Sequence, residues 1–331
     1  MSPIGLMSRS GLREPGKGGF RGTRIARVAL YDRALVRLLP AVPRPVVRRI
    51  SSRYIAGTTL DDAEGTVSEL NAGGMMATVD VLGEELRRAD EARAIARSYV
   101  DVLAAIERER LDANISVKLT ALGLQLDPAL CRELIEQVVA DARARGNFVR
   151  IDMEDSSTTD ATLRLYRGLR ESGYDNVGIV LQAYLRRTAD DVRALADLRP
   201  SVRLCKGIYV EPAEIAFRDP EHVRASFARL LDQLLDAGCY VGIATHDEWV
   251  IKRALEQVVR RRLAREDYEF QMLLGVREDR REQLVRAGHR LRVYVPFGSH
   301  WYAYSLRRLQ ENPGIAGYVA SDTVRRLLPF G

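Results

Sequence analysis

Several short apolar runs in this 331-residue chain each carry a side chain that apolar surroundings should exclude. Lys118 stands in Ile115-Ser116-Val117-Lys118-Leu119, Asp152 and Glu154 follow Val149-Arg150-Ile151, and Gln182 follows Ile179-Val180-Leu181. Arg203 and Lys206 bracket Leu204-Cys205, and Thr245-His246-Asp247 closes a further run. Gln271 sits in Phe270-Gln271-Met272, and Tyr294 precedes Val295-Pro296-Phe297-Gly298. Any one of these could point outward from a strand. A polar or ionisable group in most of the runs is harder to dismiss, because burying such a group is costly unless it is paired or used.

The choice of cation sharpens the pattern. Of 51 basic residues only four are lysine, at positions 17, 118, 206 and 252. Arginine is the default, so Lys118 and Lys206 mark places where a compact ammonium is wanted and a planar guanidinium is not equivalent. A lining of Lys118, Arg203 and Lys206 with Asp152 among them suits an anionic ligand, or an electron-rich cofactor whose reduced form is an anion. Arg307 and Arg308 lie on a helix expected over 301–310, and arginine grips carboxylates through paired hydrogen bonds. Neighbours on a helix point about 100° apart, so one of the two should dominate any single contact.

These side chains need a frame. Apolar, β-branched runs recur at 76–82, 115–122, 149–153, 177–184, 202–208, 240–245, 270–274 and 291–296, each followed by an amphipathic stretch. Runs without alternation fit strands buried on both faces of a parallel sheet. Eight such units predict an α/β fold, a (β/α)8 barrel of TIM type, over 71–331. An open doubly wound sheet is the runner-up, but no GxGxxG or GxxxxGK[ST] turn supports it. Asp160 and Thr188 are expected to cap the helices over 160–172 and 188–198. Helices are expected over 23–70, and a disordered basic arm over 1–22. Barrel sites use the carboxyl ends of the strands, where the polar residues fall.

Composition narrows the classes. Residues 1–60 hold 12 Lys/Arg against 2 Asp/Glu, and the rest 39 against 43, so the basic character belongs to the N-terminal segment. That segment could meet anionic lipid, whereas without interleaved aromatics nucleic acid is not expected. Cys131, Cys205 and Cys239 are odd in number and widely spaced, which argues for a reducing compartment and against disulfides or a zinc site. His222, His246, His289 and His300 form no metal-binding spacing. No run of about 18 apolar residues proposes a membrane span.

Six segments together resemble the signatures of the proline dehydrogenase family. They are Val117-Lys118-Leu119-Thr120-Ala121-Leu122, Arg203-Leu204-Cys205-Lys206-Gly207-Ile208-Tyr209, Ala244-Thr245-His246-Asp247, Phe270-Gln271-Met272-Leu273-Leu274-Gly275, Tyr294-Val295-Pro296-Phe297-Gly298 and Leu306-Arg307-Arg308-Leu309-Gln310-Glu311-Asn312. They fall in order between about residues 55 and 320. The resemblance implies a distorted barrel holding FAD and oxidising L-proline to Δ1-pyrroline-5-carboxylate, with a hydride passing from C5 to the flavin N5. It implies that Lys118, Arg307 and Arg308 bind the carboxylate, that Tyr294 packs on the ring, and that Tyr209 and Leu274 shape the pocket. It places Asp152 in the catalytic site and Arg203 and Lys206 along the flavin edge. Met153, Gln182, Gly207, Ile208, Tyr209, Thr245 and His246 would contact FAD, with Glu311 near the flavin or the clamp arginines. Ile208 departs from the smaller residue expected there, and Tyr294 favours proline over hydroxyproline. The resemblance further implies a monofunctional enzyme that passes electrons to a membrane quinone. Its product would go to a separate pyrroline-5-carboxylate dehydrogenase, in the cytoplasm or against the inner face of the membrane. The competing readings are another flavin- or phosphate-binding barrel acting on a different anion, and a basic scaffold protein.

Overall fold

Eight parallel strands stand where the apolar runs lie, in a computed structural model that describes residues 53–83, 86–302 and 304–305. They are β1 (Met76–Val81), β2 (Ala113–Val117), β3 (Val149–Ile151), β4 (Val177–Gln182), β5 (Val202–Cys205), β6 (Val241–Ala244), β7 (Tyr268–Leu273) and β8 (Leu291–Phe297). Each hydrogen-bonds the next, and β8 returns to β1, so the sheet closes in sequence order. Helix α1 (Leu60–Ala72) leads into β1. Helices α2 (Ala89–Arg108), α3 (Pro128–Ala144), α4 (Ser156–Glu171), α5 (Thr188–Ala194), α6 (Pro220–Asp236), α7 (Glu248–Arg261) and α8 (Glu278–Arg286) connect the strands. This is the (β/α)8 barrel read from the sequence. The arm 1–22 and most of the segment expected to hold N-terminal helices lie outside the described residues; α1 falls at the end of that segment.

Side chains alternate across a strand, so each strand has two faces. One face carries Val79, Ile115, Val117, Ile151, Ile179, Leu204 and their equivalents, which pack under the helices in one continuous apolar core. The other faces the barrel interior and is mostly polar. Thr78, Asp80, Ser116, Arg150, Gln182, Arg203, Glu269, Gln271 and Arg292 are all buried there. Barrel interiors are ordinarily filled by branched apolar residues. Here charge replaces them, and the fold sustains it only by pairing nearly every group.

The strands end earlier than the sequence runs. β2 stops at Val117 and a 3-10 turn over Thr120–Leu122 follows, while β5 stops at Cys205. Lys118 and Lys206 therefore sit just beyond the strand ends, where backbone direction is free to change. Two expected caps are corrected. Helix α4 begins at Ser156 behind Asp155, whose carboxylate accepts from the Ser157 amide at 2.9 Å. Its first turn, Ser156-Ser157-Thr158-Thr159, is polar in sequence, yet Thr158, Thr159 and Thr162 are buried. Polar composition hid the helical start, and Asp160 instead pairs with Arg187 at 2.7 Å. Thr188 is the first residue inside α5, and its hydroxyl donates to the Gln182 carbonyl at 2.6 Å, bracing the end of β4.

Candidate active site

The carboxyl ends of the strands surround an open cavity of about 260 Å³ lined by Lys118, Asp152, Gln182, Arg203, Lys206, His246, Gln271 and Tyr294, among others. A larger cleft of about 420 Å³ shares residues 206–209 with it and is bounded by Tyr184, Phe217 and Pro220. Ionisable groups from five strands meet in the smaller one, which is the candidate site.

Asp152 is the hub. The register continues one residue past β3, with the Asp152 amide on the Val117 carbonyl at 2.9 Å, and this aims the side chain inward. Its Oδ1 accepts from Arg203 Nη1 at 2.7 Å and from the Ser116 hydroxyl at 2.7 Å. Its Oδ2 accepts from the Tyr294 hydroxyl at 2.8 Å. Arg203 also donates to Gln271 Oε1 at 2.6 Å and lies with its Cζ 5.2 Å from the centre of the Tyr294 ring. Burial, reinforced by the Asp152 and Asp80 carboxylates, raises the Tyr294 hydroxyl well above its ordinary value, so it remains a donor.

Lys118 Nζ donates to Asp80 Oδ2 at 2.7 Å, stands 3.4 Å from the Tyr294 oxygen and is 3.9 Å from Asp152. Asp80, on β1, was missed in reading the sequence, as was Tyr99 on α2, whose hydroxyl donates to Asp80 Oδ1 at 3.2 Å. One signal was available: Asp80 is the acid within an otherwise uncharged apolar strand, Met76–Val81.

Deeper in the barrel a second layer holds the first. Gln271 donates to Glu269 Oε1 at 2.5 Å, and Arg292 donates to the same oxygen at 2.8 Å and to the Ala77 carbonyl at 2.7 Å. Burial alone would raise Glu269, but Arg292, with hydrogen bonds from Tyr240 and Gln271, holds its carboxyl below the usual range. Gly242 makes this possible, because a Cβ there would collide with the Gln271 amide. Below, Arg150 is fully buried, and burial and the charge of Arg203 lower it to about 10.

On the other side of the mouth, Lys206 pairs with Asp247, which also accepts from Arg224 at 2.7 Å. Burial would raise Asp247, but Arg224 and Lys206 bring it down to about 2. The same carboxylate caps α7 by accepting from the Trp249 amide at 2.9 Å. His246 Nε2 accepts from the Leu273 amide at 2.9 Å. An amide can only donate, so Nε2 carries no proton. Gln182 Nε2 donates to the Met153 and Glu154 carbonyls at 3.0 and 2.8 Å.

The structure thus brings Lys118, Asp152, Met153, Gln182, Arg203, Lys206, Gly207, Ile208, Tyr209, Thr245, His246 and Tyr294 to one cavity. Leu274 is set apart: it packs against the core beyond β7, and its neighbour Leu273 lines the wall. Arg307, Arg308 and Glu311 lie outside the described residues.

Comparisons with known proteins bear on the family and the fold. The family model described as proline dehydrogenase matches residues 63–321. Proline dehydrogenase 1 of Bacillus subtilis subsp. natto is 38% identical over 274 residues, covering 83% of this chain and 90% of the relative. Proline dehydrogenase of Deinococcus radiodurans is 34% identical over 308 residues, covering 89% and 98%. The crystal structure of proline utilization A from Bdellovibrio bacteriovorus, inactivated by N-propargylglycine, superposes with a TM-score of 0.77 at 24% identity. It covers 86% of this chain and 37% of that one, and at this identity it speaks for the barrel alone.

Proposed function

The chain belongs to the proline dehydrogenase family, and on that premise we propose that it oxidises L-proline to Δ1-pyrroline-5-carboxylate, the first step of proline catabolism, with FAD as cofactor and a quinone as electron acceptor. One observation carries the reading. Lys118, Asp152, Arg203 and Tyr294, from the ends of four different strands, meet at one cavity in a continuous chain of hydrogen bonds from Lys118 through Tyr294 and Asp152 to Arg203.

The residues present fit a flavin. Gln182 Oε1 is buried at the cavity wall without a hydrogen-bond partner among the described residues, while its amide nitrogen is committed to two carbonyls. An acceptor left in this way calls for a donor from outside the chain, and a flavin ring N–H is one. Gly207 has a φ of +100°, and a Cβ there would run into the Tyr184 ring, so only glycine lets this cavity-lining segment pack there. When bound, FAD supplies the oxidant that takes a hydride from C5 of proline.

The chain does the rest. Lys118, with Arg307 and Arg308, takes the substrate carboxylate and so places C5. Tyr294 packs on the ring, and Tyr209 and Leu273, rather than the expected Leu274, bound the pocket. Asp152 fixes Arg203 and Tyr294, and Arg203 and Lys206 put positive charge along the cofactor edge, where negative charge grows on reduction. Met153, Ile208, Tyr209, Thr245, His246 and Glu311 complete the cofactor cradle. Neutral amine is needed for the C5–N double bond to form, and its proton can leave to water. Orientation of this kind supplies much of the rate.

Electrons handed to a quinone must reach a membrane. Among the described residues no helix is long and apolar enough to cross one. The basic segment supplies a surface contact instead, and an aldehyde-oxidising enzyme acting on pyrroline-5-carboxylate would follow. The test is turnover: protein purified with FAD, given L-proline and a soluble quinone, should yield pyrroline-5-carboxylate, trapped as its o-aminobenzaldehyde adduct. No product from proline would overturn the reading.

A further inference from the structure

We infer that Tyr99 is a positioning residue for substrate binding: through Asp80 it holds Lys118 ready for the substrate carboxylate and keeps it from collapsing onto Asp152. The inference rests on the proposed role of Lys118 and adds two residues behind it.

Four observations lead there. Tyr99 is completely buried on α2, at the interface between helix and barrel. A phenylalanine would fill that interface equally well, so the hydroxyl calls for a separate reason, and a buried tyrosine hydroxyl usually has a partner. Its partner is Asp80 Oδ1, at 3.2 Å. Asp80 is itself fully buried, and its other oxygen, Oδ2, takes Lys118 Nζ at 2.7 Å. The two oxygens of one carboxylate are thus divided between a rigid phenol and a flexible ammonium. The phenol sets the plane of the carboxylate, and the carboxylate sets where the lysine ends.

The lysine needs such restraint. Its stem has four rotatable bonds, and a second carboxylate, Asp152, lies 3.9 Å from Nζ. Both Asp152 oxygens are already engaged, one by Arg203 and Ser116 and the other by Tyr294. If Asp80 turned, Lys118 would be drawn to Asp152 and would compete for the groups that shape the other side of the site. Tyr99 therefore acts on ligand affinity at second hand, without touching ligand or cofactor.

The experiment uses the full-length, flavin-loaded protein and its Tyr99→Phe variant. KM and kcat for L-proline are measured, with inhibition constants for two probes. One is a saturated five-membered ring acid, which has the carboxylate, and the other is pyrrolidine, which lacks it. Tyr99→Phe should raise KM for proline and the inhibition constant of the acid roughly three- to tenfold, less than direct loss of a hydrogen bond to a charged group, since Tyr99 acts through Asp80. Pyrrolidine inhibition and flavin content should not change. In a Lys118→Met background, Tyr99→Phe should add nothing to the loss of proline affinity. Asp80→Asn should reproduce the pattern, and it carries the test if Tyr99→Phe does not fold. Equal weakening of both probes, no change in either, or an effect that persists with Lys118→Met would overturn the inference. Wild-type turnover of proline is the control: if that fails, the proposed function falls, whereas normal turnover with an unaffected Tyr99→Phe variant removes only the role of Tyr99.

Discussion

In the proposed function, Lys118 and Tyr294 divide the recognition of the substrate between charge and shape. Lys118→Ala should raise KM for proline on the order of a hundredfold, the loss of a hydrogen bond between charged groups, while the protein still copurifies with flavin. It should also lower the melting temperature, because Asp80 loses the cation paired with it in the barrel. Unchanged KM in a folded, flavin-bearing variant would remove Lys118 from the carboxylate clamp. Tyr294→Ser opens space beside Arg203 and takes the donor from Asp152 Oδ2. Its ratio of kcat/KM for proline over hydroxyproline should fall at least tenfold, and an unmoved ratio would discredit that role. Much of this site was visible in the sequence, since a lysine in an arginine-rich chain and a charge in an apolar run are conspicuous. Asp80 and Tyr99 were less so. A tyrosine on an amphipathic helix looks like ordinary core, and only the fold shows that its hydroxyl meets the one acid of β1.

Among the elements, the segment that follows β5 carries the greatest demand, since Lys206, Gly207, Ile208 and Tyr209 all leave the strand together and line the cavity. Gly207→Ala should cost flavin retention as well as stability, because the backbone is in the left-handed region and a Cβ meets Tyr184. Equal flavin occupancy in the variant, measured by its visible absorption per protein, would show that the segment is not part of the cradle. The strands were legible because parallel strands buried on both faces have a run of apolar residues and little else. Their ends were less so. Lys118 and Lys206 sit in sequences that still look like strand, and the change of direction that frees them depends on hydrogen bonds to neighbouring strands. The start of α4 was hidden for a related reason, since Thr158, Thr159 and Thr162 are polar by type but buried by place.

Across the whole molecule, several carboxylates are held charged by neighbouring cations, so acid should be the weak side of its stability. The folded carboxyl of Asp247 titrates at about 2 against an ordinary 3.8. The folded state therefore binds fewer protons, and the stabilisation is complete above the ordinary value and lost as pH falls towards about 2. Glu269, also held low, acts in the same direction. Burial and then Arg280 lower His289, so its contribution is complete above the ordinary 6.5 and fades below it. The melting temperature should hold through neutral pH and fall on acidification. Asp247→Asn, which keeps a capping side chain, should flatten the lower part of that fall. A melting temperature that rose between about pH 6 and pH 4 would contradict this balance. The basic N-terminal segment belongs to the same scale. Protein lacking residues 1–22 should sediment less with anionic liposomes than the full chain, and equal sedimentation would remove the proposed membrane contact.

The central claim is that Lys118, with Arg307 and Arg308, grips an amino acid's carboxylate against a flavin whose edge Arg203 and Lys206 line at the barrel mouth. An anaerobic titration of the purified protein, following the visible flavin absorption, puts it to the test in one series. L-proline should bleach the band at concentrations where pyrrolidine, which has the ring and amine but no carboxylate, leaves it unchanged. A protein that binds no flavin, or a band that both compounds bleach equally, would contradict the account.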